Sequence, residues 1–290
     1  QAEVIVAGGA ESMTRTPYIL EKIPSPFARG DQVLMDGFTG TVTAPDGMHV
    51  GNGITAENVA CQYDISREDQ DCYAYNSHMR AKAASVDGRF REEIVPVEVP
   101  PATKREESVC FDEDEHIRFD TTLEKLASLR PVFDKDGTVT AGNSSGINDG
   151  AAAVLVMSAS RAQAEGFEPL ARVRGTGVAG TDPDIMGMGP VYSTPKALLA
   201  AKVEMGDIDL VELNEAFASQ VLACAQVLEM DLETMNVNGG GISVGHPLGA
   251  TGARMMTTLL HEMKRRDVNL GLATMCIGGG QGITSVVERA

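Results

Sequence analysis

The sequence predicts an α/β protein in which helices are layered on sheet, and three observations carry that expectation. From about residue 169 to the C-terminus, apolar strand-like runs alternate with stretches of helical length and periodicity. Upstream, residues 2–7 (AEVIVA) and 151–157 (AAAVLVM) are short apolar runs of the kind that form strands covered on both faces. The composition agrees: it is 43% hydrophobic, without Trp, and holds 31 glycines, which suits helices packed closely on sheet. A chain of 290 residues is long enough for two domains.

Taken in order, residues 3–7 read as a buried parallel strand that ends at Gly8 and Gly9. A sheet strand opening directly after Gln1 has nothing upstream to pair with, so the chain is expected to be a fragment. Residues 17–50 are rich in Pro, Gly and Asp and form a long irregular excursion. Thr55 and Ser66 stand as helix N-caps, the latter with Asp69 three residues on. The helix from about 67 to 87 closes at Gly88. Residues 94–99 are strand-like, with Pro96 marking an edge, and Asp136-Gly137 is a turn before the strand-like 138–140.

Residues 158–165 form a short helix closed by Gly166, after which the pattern resets. Strand 169–178, helix 194–204, strand 208–213, helix 215–229, strand 236–238, helix 249–265 and strands 270–276 and 282–288 follow. The reset near 160–168 places one domain over 1–160 and a second over 168–290.

Against 24 Lys and Arg stand 41 Asp and Glu, a net charge of −17 that repels nucleic acid and anionic membranes. No apolar run is long enough to span a bilayer, and no signal peptide is evident. The five cysteines show neither a disulfide framework nor metal-ligand spacing, so reduced thiols in a cytoplasmic setting and no metal site are expected.

Three segments carry chemistry: Asn214-Glu215-Ala216-Phe217-Ala218, Gly239-Gly240-Gly241-Ile242-Ser243-Val244-Gly245-His246-Pro247-Leu248-Gly249, and Cys276-Ile277-Gly278-Gly279-Gly280. Each offers one versatile side chain, Asn, His or Cys, and the second and third set theirs among glycines that allow close approach of a ligand. Each residue also has a plain structural reading: Asn214 as a helix N-cap, His246 as a histidine satisfied within a turn, Cys276 as a buried thiol. Their wording and order resemble the thiolase family. Val6-Ala7-Gly8-Gly9-Ala10-Glu11-Ser12-Met13, Thr55-Ala56-Glu57-Asn58, Leu129-Arg130-Pro131-Val132-Phe133, residues 139–150 (VTAGNSSGINDG) and 182–190 (DPDIMGMGP) extend the resemblance over essentially the whole chain.

The resemblance implies a layered α-β-α-β-α sandwich of two similar halves, with an inserted loop domain over about 17–144. It implies cleavage or formation of 3-oxoacyl-CoA, with coenzyme A thioesters as substrates and no cofactor. Cys276 would be the base at the α-carbon, its pKa lowered by the N–H groups of Gly278, Gly279 and Gly280. His246 would assist the nucleophile and, with a water held by Asn214, bind the thioester oxygen of acetyl-CoA. Gly278 would supply half of a second oxyanion hole. Ser145 and Gly146 would contact the pantetheine arm, Arg118 the nucleotide end, and Phe133 and Ala141 the channel; Phe217 is a substrate-side candidate that, like Glu215, also has a packing reading. His78, His116, His261, Cys61, Cys72, Cys110 and Cys224 read as structural. A homodimer or homotetramer is implied.

Two features depart from the family pattern. Its nucleophilic cysteine, which lies shortly before the strand opening this chain, is not among the 290 residues, so the chain alone is expected to be inactive. The Tyr-His-Met-Gly of biosynthetic acetoacetyl-CoA thiolases is replaced by residues 50–54 (VGNGI), with His49 two residues early, which leaves acyl length open. The rival readings are a ketoacyl synthase of the same fold and a non-catalytic, thiolase-like CoA-binding or scaffold protein.

Overall fold

A computed structural model of the chain describes residues 2–20, 30–38, 51–101, 103 and 107–290. Much of the excursion expected over 17–50, with His49 and Val50, lies outside the described residues. In chain order the elements are β1 (Val4–Ser12), β2 (Tyr18–Ile19), β3 (Met35–Asp36), α1 (Asn52–Gln62), α2 (Arg67–Val86), β4 (Val97–Val99), β5 (Val109–Phe111) and α3 (Leu123–Ala127). There follow β6 (Asp149–Met157), α4 (Ala159–Glu165), β7 (Ala171–Gly180), α5 (Gly189–Ala201), β8 (Leu210–Leu213), α6 (Ala218–Leu228), α7 (Gly241–Val244), α8 (Thr251–Arg266), β9 (Leu270–Ile277) and β10 (Gln281–Arg289).

The C-terminal sheet has the order β7-β10-β9-β8; β8 and β9 are parallel and the other pairs antiparallel. Its two faces separate by the alternation of a pleated strand. Val211, Leu213, Leu272 and Val286 face a core shared with Ala197 and Ala201 of α5 and Val221 and Cys224 of α6. Leu210, Ala273 and Val287 face the opposite core, with Leu259 and Met263 of α8. α5 lies directly on β7 because glycines leave room: a Cβ at Gly175 would come within 2.6 Å of Ala197 O, and one at Gly177 within 2.4 Å of Ser193 O.

α8 is the middle layer. It buries Met255, Thr258, Leu259, Glu262 and Met263, a stripe at helical spacing, and ends in Lys264, Arg265 and Arg266, which suit the negative end of the helix dipole. It also packs on the antiparallel sheet of β1 and β6, so sheet, helix, sheet and helix follow in layers. The turn before α8 fits closely against β1: a Cβ at Gly9 would lie 1.7 Å from Gly249 O.

Several elements differ from the sequence reading. Residues 3–7 are not a buried parallel strand: β1 runs antiparallel to β6, and Ile5 and Val6 are 49% and 72% exposed. Only Ala7, Gly9 and Glu11 turn inward, so α8 covers one face, which an apolar run cannot reveal. Ser66 caps α2 through the Asp69 N–H and Gly88 closes it at φ +72°, as expected. Thr55 is no cap; α1 starts three residues earlier after Gly51, and the Thr55 hydroxyl donates to Asn52 O. The strand expected over 94–99 shortens to β4, which begins after Pro96. α5 starts at Gly189, with Pro190 at its N-terminus and Pro195 inside it. Residues 236–238 form no strand, because Asn236 sits at φ +47° and its side chain takes over the pairing, accepting from Leu213 N and donating to Leu213 O.

Candidate active site

β8 and β9 bring the first two candidates together. The Asn214 N–H donates to Thr274 O at 3.0 Å, so Asn214 leaves β8 level with Thr274, and Cys276 lies two residues further along β9. Both stand at the carboxyl ends of adjacent parallel strands, where open α/β sheets place their ligands.

His246 arrives from the turn between α7 and α8. Gly245 holds φ +104°, a conformation open to glycine, and a Cβ there would meet Asn148 Cγ at 2.7 Å. Asn148 Oδ1 accepts the His246 backbone N–H at 3.2 Å. The ring then spans two partners: Nε2 lies 3.2 Å from Asn214 Nδ2, and Nδ1 lies 2.6 Å from Thr251 Oγ1. Burial, with a smaller contribution from the Arg254 charge, pushes the His246 pKa down to about 4, so the ring is neutral at pH 7. Asn214 Oδ1 is buried and has no partner among the described residues.

Glu215, read as packing, is the knot that holds these loops. It is fully buried, and its carboxylate accepts from Tyr73 Oη (2.8 Å), Ser77 Oγ (2.7 Å), Asn236 Nδ2 (3.0 Å) and the Ile242 N–H (3.1 Å). α2 is thereby tied to the Asn214 loop and to the glycine-rich turn that leads to His246. Burial and the neighbouring Glu215 raise the Tyr73 pKa well above the ordinary value, so its hydroxyl remains a donor.

The environment of Cys276 corrects the sequence reading. Burial pushes its thiol up to about 12, and only a backbone hydrogen bond opposes this. Among the described residues, none of the N–H groups of Gly278, Gly279 and Gly280 bonds to the sulfur; Gly279 and Gly280 take φ +83° and +89° and turn the chain into β10. The half-buried Cys276 is thereby held as a protonated thiol at neutral pH. Gly278 faces open space, with Asn52 Nδ2 at 3.9 Å as the nearest atom to a Cβ placed there.

The residues singled out for coenzyme A fall into two groups. Residues 143–146 run beside the Asn214 loop: the Ser145 N–H donates to Ala216 O, the Ala218 N–H to Asn143 O, and Ser144 bridges to Phe217. The Phe133 ring lies on Gly53 and meets Phe217 edge-on, with centroids 6.2 Å apart. Ala141 is exposed at the start of this loop. Gly146 packs under His116, where a Cβ would meet Cε1 at 2.4 Å. Arg118 lies beyond, its backbone N–H donating to His78 Nδ1 at 3.2 Å, and its exposed side chain enters none of the ion pairs among the described residues. Burial pushes the His78 pKa down to about 4.

Sequence reasoning missed Thr251, Asn148, Tyr73, Ser77 and Asn236. Thr251 had a signal, a hydroxyl at the start of a helix five residues after His246; the others act across long sequence separations. Cys61, Cys72 and Cys110 are exposed, and Cys224 is sealed in the core. No cluster of three or more potential metal ligands occurs among the described residues, and no described helix is long and apolar enough to cross a membrane.

Comparison with known proteins gives a consistent result. The family description "Thiolase, N-terminal domain" matches residues 1–160, and "Thiolase, C-terminal domain" matches 167–289. An acetyl-CoA acetyltransferase of Escherichia coli K12 is 52% identical over 292 positions, covering 100% of this chain and 73% of its own length. One from Chromobacterium violaceum is 51% identical over 290 residues, with 99% and 73% covered. Among solved structures, human mitochondrial 3-ketoacyl-CoA thiolase in complex with CoA superposes with a TM-score of 0.93 at 44% identity, over 100% of this chain and 71% of that one. Bacillus anthracis acetyl-CoA acetyltransferase gives 0.94 at 44% identity, over 100% and 72%.

Proposed function

The chain belongs to the thiolase family, and from that membership we propose which of its residues do the work and which substrate they serve. Thiolases cleave or form the carbon–carbon bond of 3-oxoacyl-CoA through an acyl-cysteine, and this protein is an acyltransferase of that kind.

In the thiolysis direction, the nucleophilic cysteine, which the family resemblance sets outside the 290 residues, gives its S–H proton to His246 Nε2 and adds to the C3 carbonyl. The N–H of Gly278 supports the oxyanion formed there. When the C2–C3 bond breaks, the oxygen of the acetyl-CoA enolate is held by the proton now on His246 Nε2 and by a water on Asn214. The Cys276 thiol gives its proton to C2 and so completes acetyl-CoA. The resulting thiolate takes the proton of the incoming CoA, whose sulfur adds to the acyl-cysteine, and the acyl–cysteine bond breaks as the nucleophile's sulfur recovers its proton from His246 Nε2. The observation that carries this reading is the Asn214–His246 pair at the strand ends that also present Cys276.

Ser145 and Gly146 receive the pantetheine arm, Arg118 the nucleotide phosphates, and Phe133, Ala141 and Phe217 the acyl channel. Acetoacetyl-CoA is the proposed preferred substrate, supported by the names of the relatives at 51% and 52% identity. The same reading divides the chain near 160–168, with the inserted loop domain over about 17–144. It takes the protein to be cytoplasmic, which the exposed free thiols favour, and homo-oligomeric, which the exposed apolar side chains of β1 and β6 favour.

The test is a thiolysis assay of the chain fused behind a thiolase nucleophile segment. A higher kcat/KM for acetoacetyl-CoA than for a medium-length 3-oxoacyl-CoA supports the substrate; the reverse order refutes it. No cleavage of either refutes the assignment of roles.

A further inference from the structure

Which nitrogen of His246 carries the proton decides whether Nε2 can act as a base. We propose that Thr251 is the positioning residue that sets this tautomer, holding the proton on Nδ1 and leaving Nε2 free to accept one. The inference rests on the thiolase reading for its catalytic meaning, but its evidence is the hydrogen-bond chain itself.

Thr251 opens α8 and is completely buried. Its hydroxyl has one hydrogen and two neighbours, Pro247 O at 2.8 Å and His246 Nδ1 at 2.6 Å. A carbonyl oxygen only accepts; Pro247 O takes the Ala250 and Thr251 N–H groups and also the i to i−4 back-bond of the Thr251 hydroxyl, so the hydroxyl oxygen is left to accept from Nδ1–H. The far side of the ring agrees. Nε2 faces the Asn214 amide nitrogen at 3.2 Å, a donor, and must therefore be the acceptor. Turning the Asn214 amide over would put both of its N–H donors where Oδ1 now has no partner, whereas in the observed orientation one of them is used on Nε2. The proton order is thus fixed from both ends: Asn214 Nδ2–H to Nε2, Nδ1–H to Thr251, and Thr251 O–H to Pro247 O.

The arrangement is a nucleophile's base oriented by a third group, but that group is a neutral hydroxyl rather than a carboxylate. A hydroxyl orients the ring without attracting a second proton to it. A proton taken up at Nε2 is then readily given back, which suits a reaction that runs in both directions.

The test is nitrogen-15 NMR of the histidine rings in the ligand-free 290-residue chain, with His246 assigned by its loss in His246→Asn. In the wild type and in Thr251→Ser, Nδ1 should carry the proton and Nε2 should resonate as an unprotonated nitrogen. In Thr251→Val, of similar shape but without a hydroxyl, the ring should shift toward the Nε2–H form. A wild-type spectrum showing Nε2–H overturns the proposal, even if the valine variant fails to fold. So does a Thr251→Val spectrum identical to that of the wild type. Because no substrate is involved, failure of the thiolysis assay leaves this result standing, and a wrong tautomer leaves substrate cleavage untouched.

Discussion

Asn214 Nδ2 lies 3.2 Å from His246 Nε2, so the amide that follows β8 is placed against an imidazole delivered from a turn 32 residues away. Replacing that amide by a carboxylate tests the contact. Asn214→Asp should raise the His246 pKa well above about 4, because a neighbouring negative charge favours the imidazolium. An NMR titration that finds it unchanged would show that the two groups do not touch.

Burial of neutral His246 also predicts how stability follows pH. Its folded pKa, about 4, lies below the ordinary value of 6.5. Between these values the unfolded chain binds more protons, so this contribution is complete above pH 6.5 and is lost as pH falls toward 4, at about 1.4 kcal/mol per unit of pKa difference. His246→Asn should therefore lose less Tm than the wild type between pH 7 and pH 4.5. His78, whose pKa burial likewise pushes to about 4, titrates in both proteins and cancels. Parallel acid profiles would contradict the buried neutral ring.

Thiol chemistry gives a third prediction. With iodoacetamide at pH 7.5, exposed Cys61, Cys72 and Cys110 should be modified first, Cys276 later, and Cys224 only on unfolding. The order follows from burial, which raises the Cys276 thiol to about 12 and Cys224 higher still. Peptide mapping that shows Cys276 reacting fastest would restore the resting thiolate that the sequence suggested.

Glu215 should be the most sensitive position outside the reacting groups. Glu215→Ala removes the acceptor of four buried donors, from Tyr73, Ser77, Asn236 and Ile242. Asn236 keeps Leu213 O and Ser77 keeps the Ser243 hydroxyl, so the Tyr73 hydroxyl and the Ile242 N–H are left unsatisfied, at ~1–3 kcal/mol each. Urea unfolding should show a loss of about 3 kcal/mol or more, with a smaller loss for Glu215→Gln. A loss under about 1 kcal/mol would mean that the knot is not structural.

What was legible in the sequence was local. Ser66 as a cap, Gly88 as a stop and the strands ending at Cys276 and resuming near Gly282 follow from short-range chemistry, and the fold class followed from them. His246 and Cys276 stand out in the sequence through their glycine-rich settings, and Asn214 through the wording of its segment. Their electrostatics were not: the Cys276 pKa depends on how fully the thiol is enclosed, which no local motif encodes. The partners of Glu215 lie up to 142 residues away, and the exposed face of β1 reflects what packs on it rather than its own apolar run. Asn236 was read as strand because a left-handed turn that replaces ladder bonds with side-chain bonds leaves little trace in an apolar pattern.

The central claim is that Cys276 moves the α-carbon proton while His246 handles that of the nucleophile. It is tested most directly by acetoacetyl-CoA cleavage in the Cys276→Ala variant of the chain fused behind a nucleophile segment. The account predicts a fall in kcat of roughly 10²–10⁴-fold, the usual worth of a positioned acid or base, with KM little changed. Turnover within a few-fold of the parent fusion would contradict it.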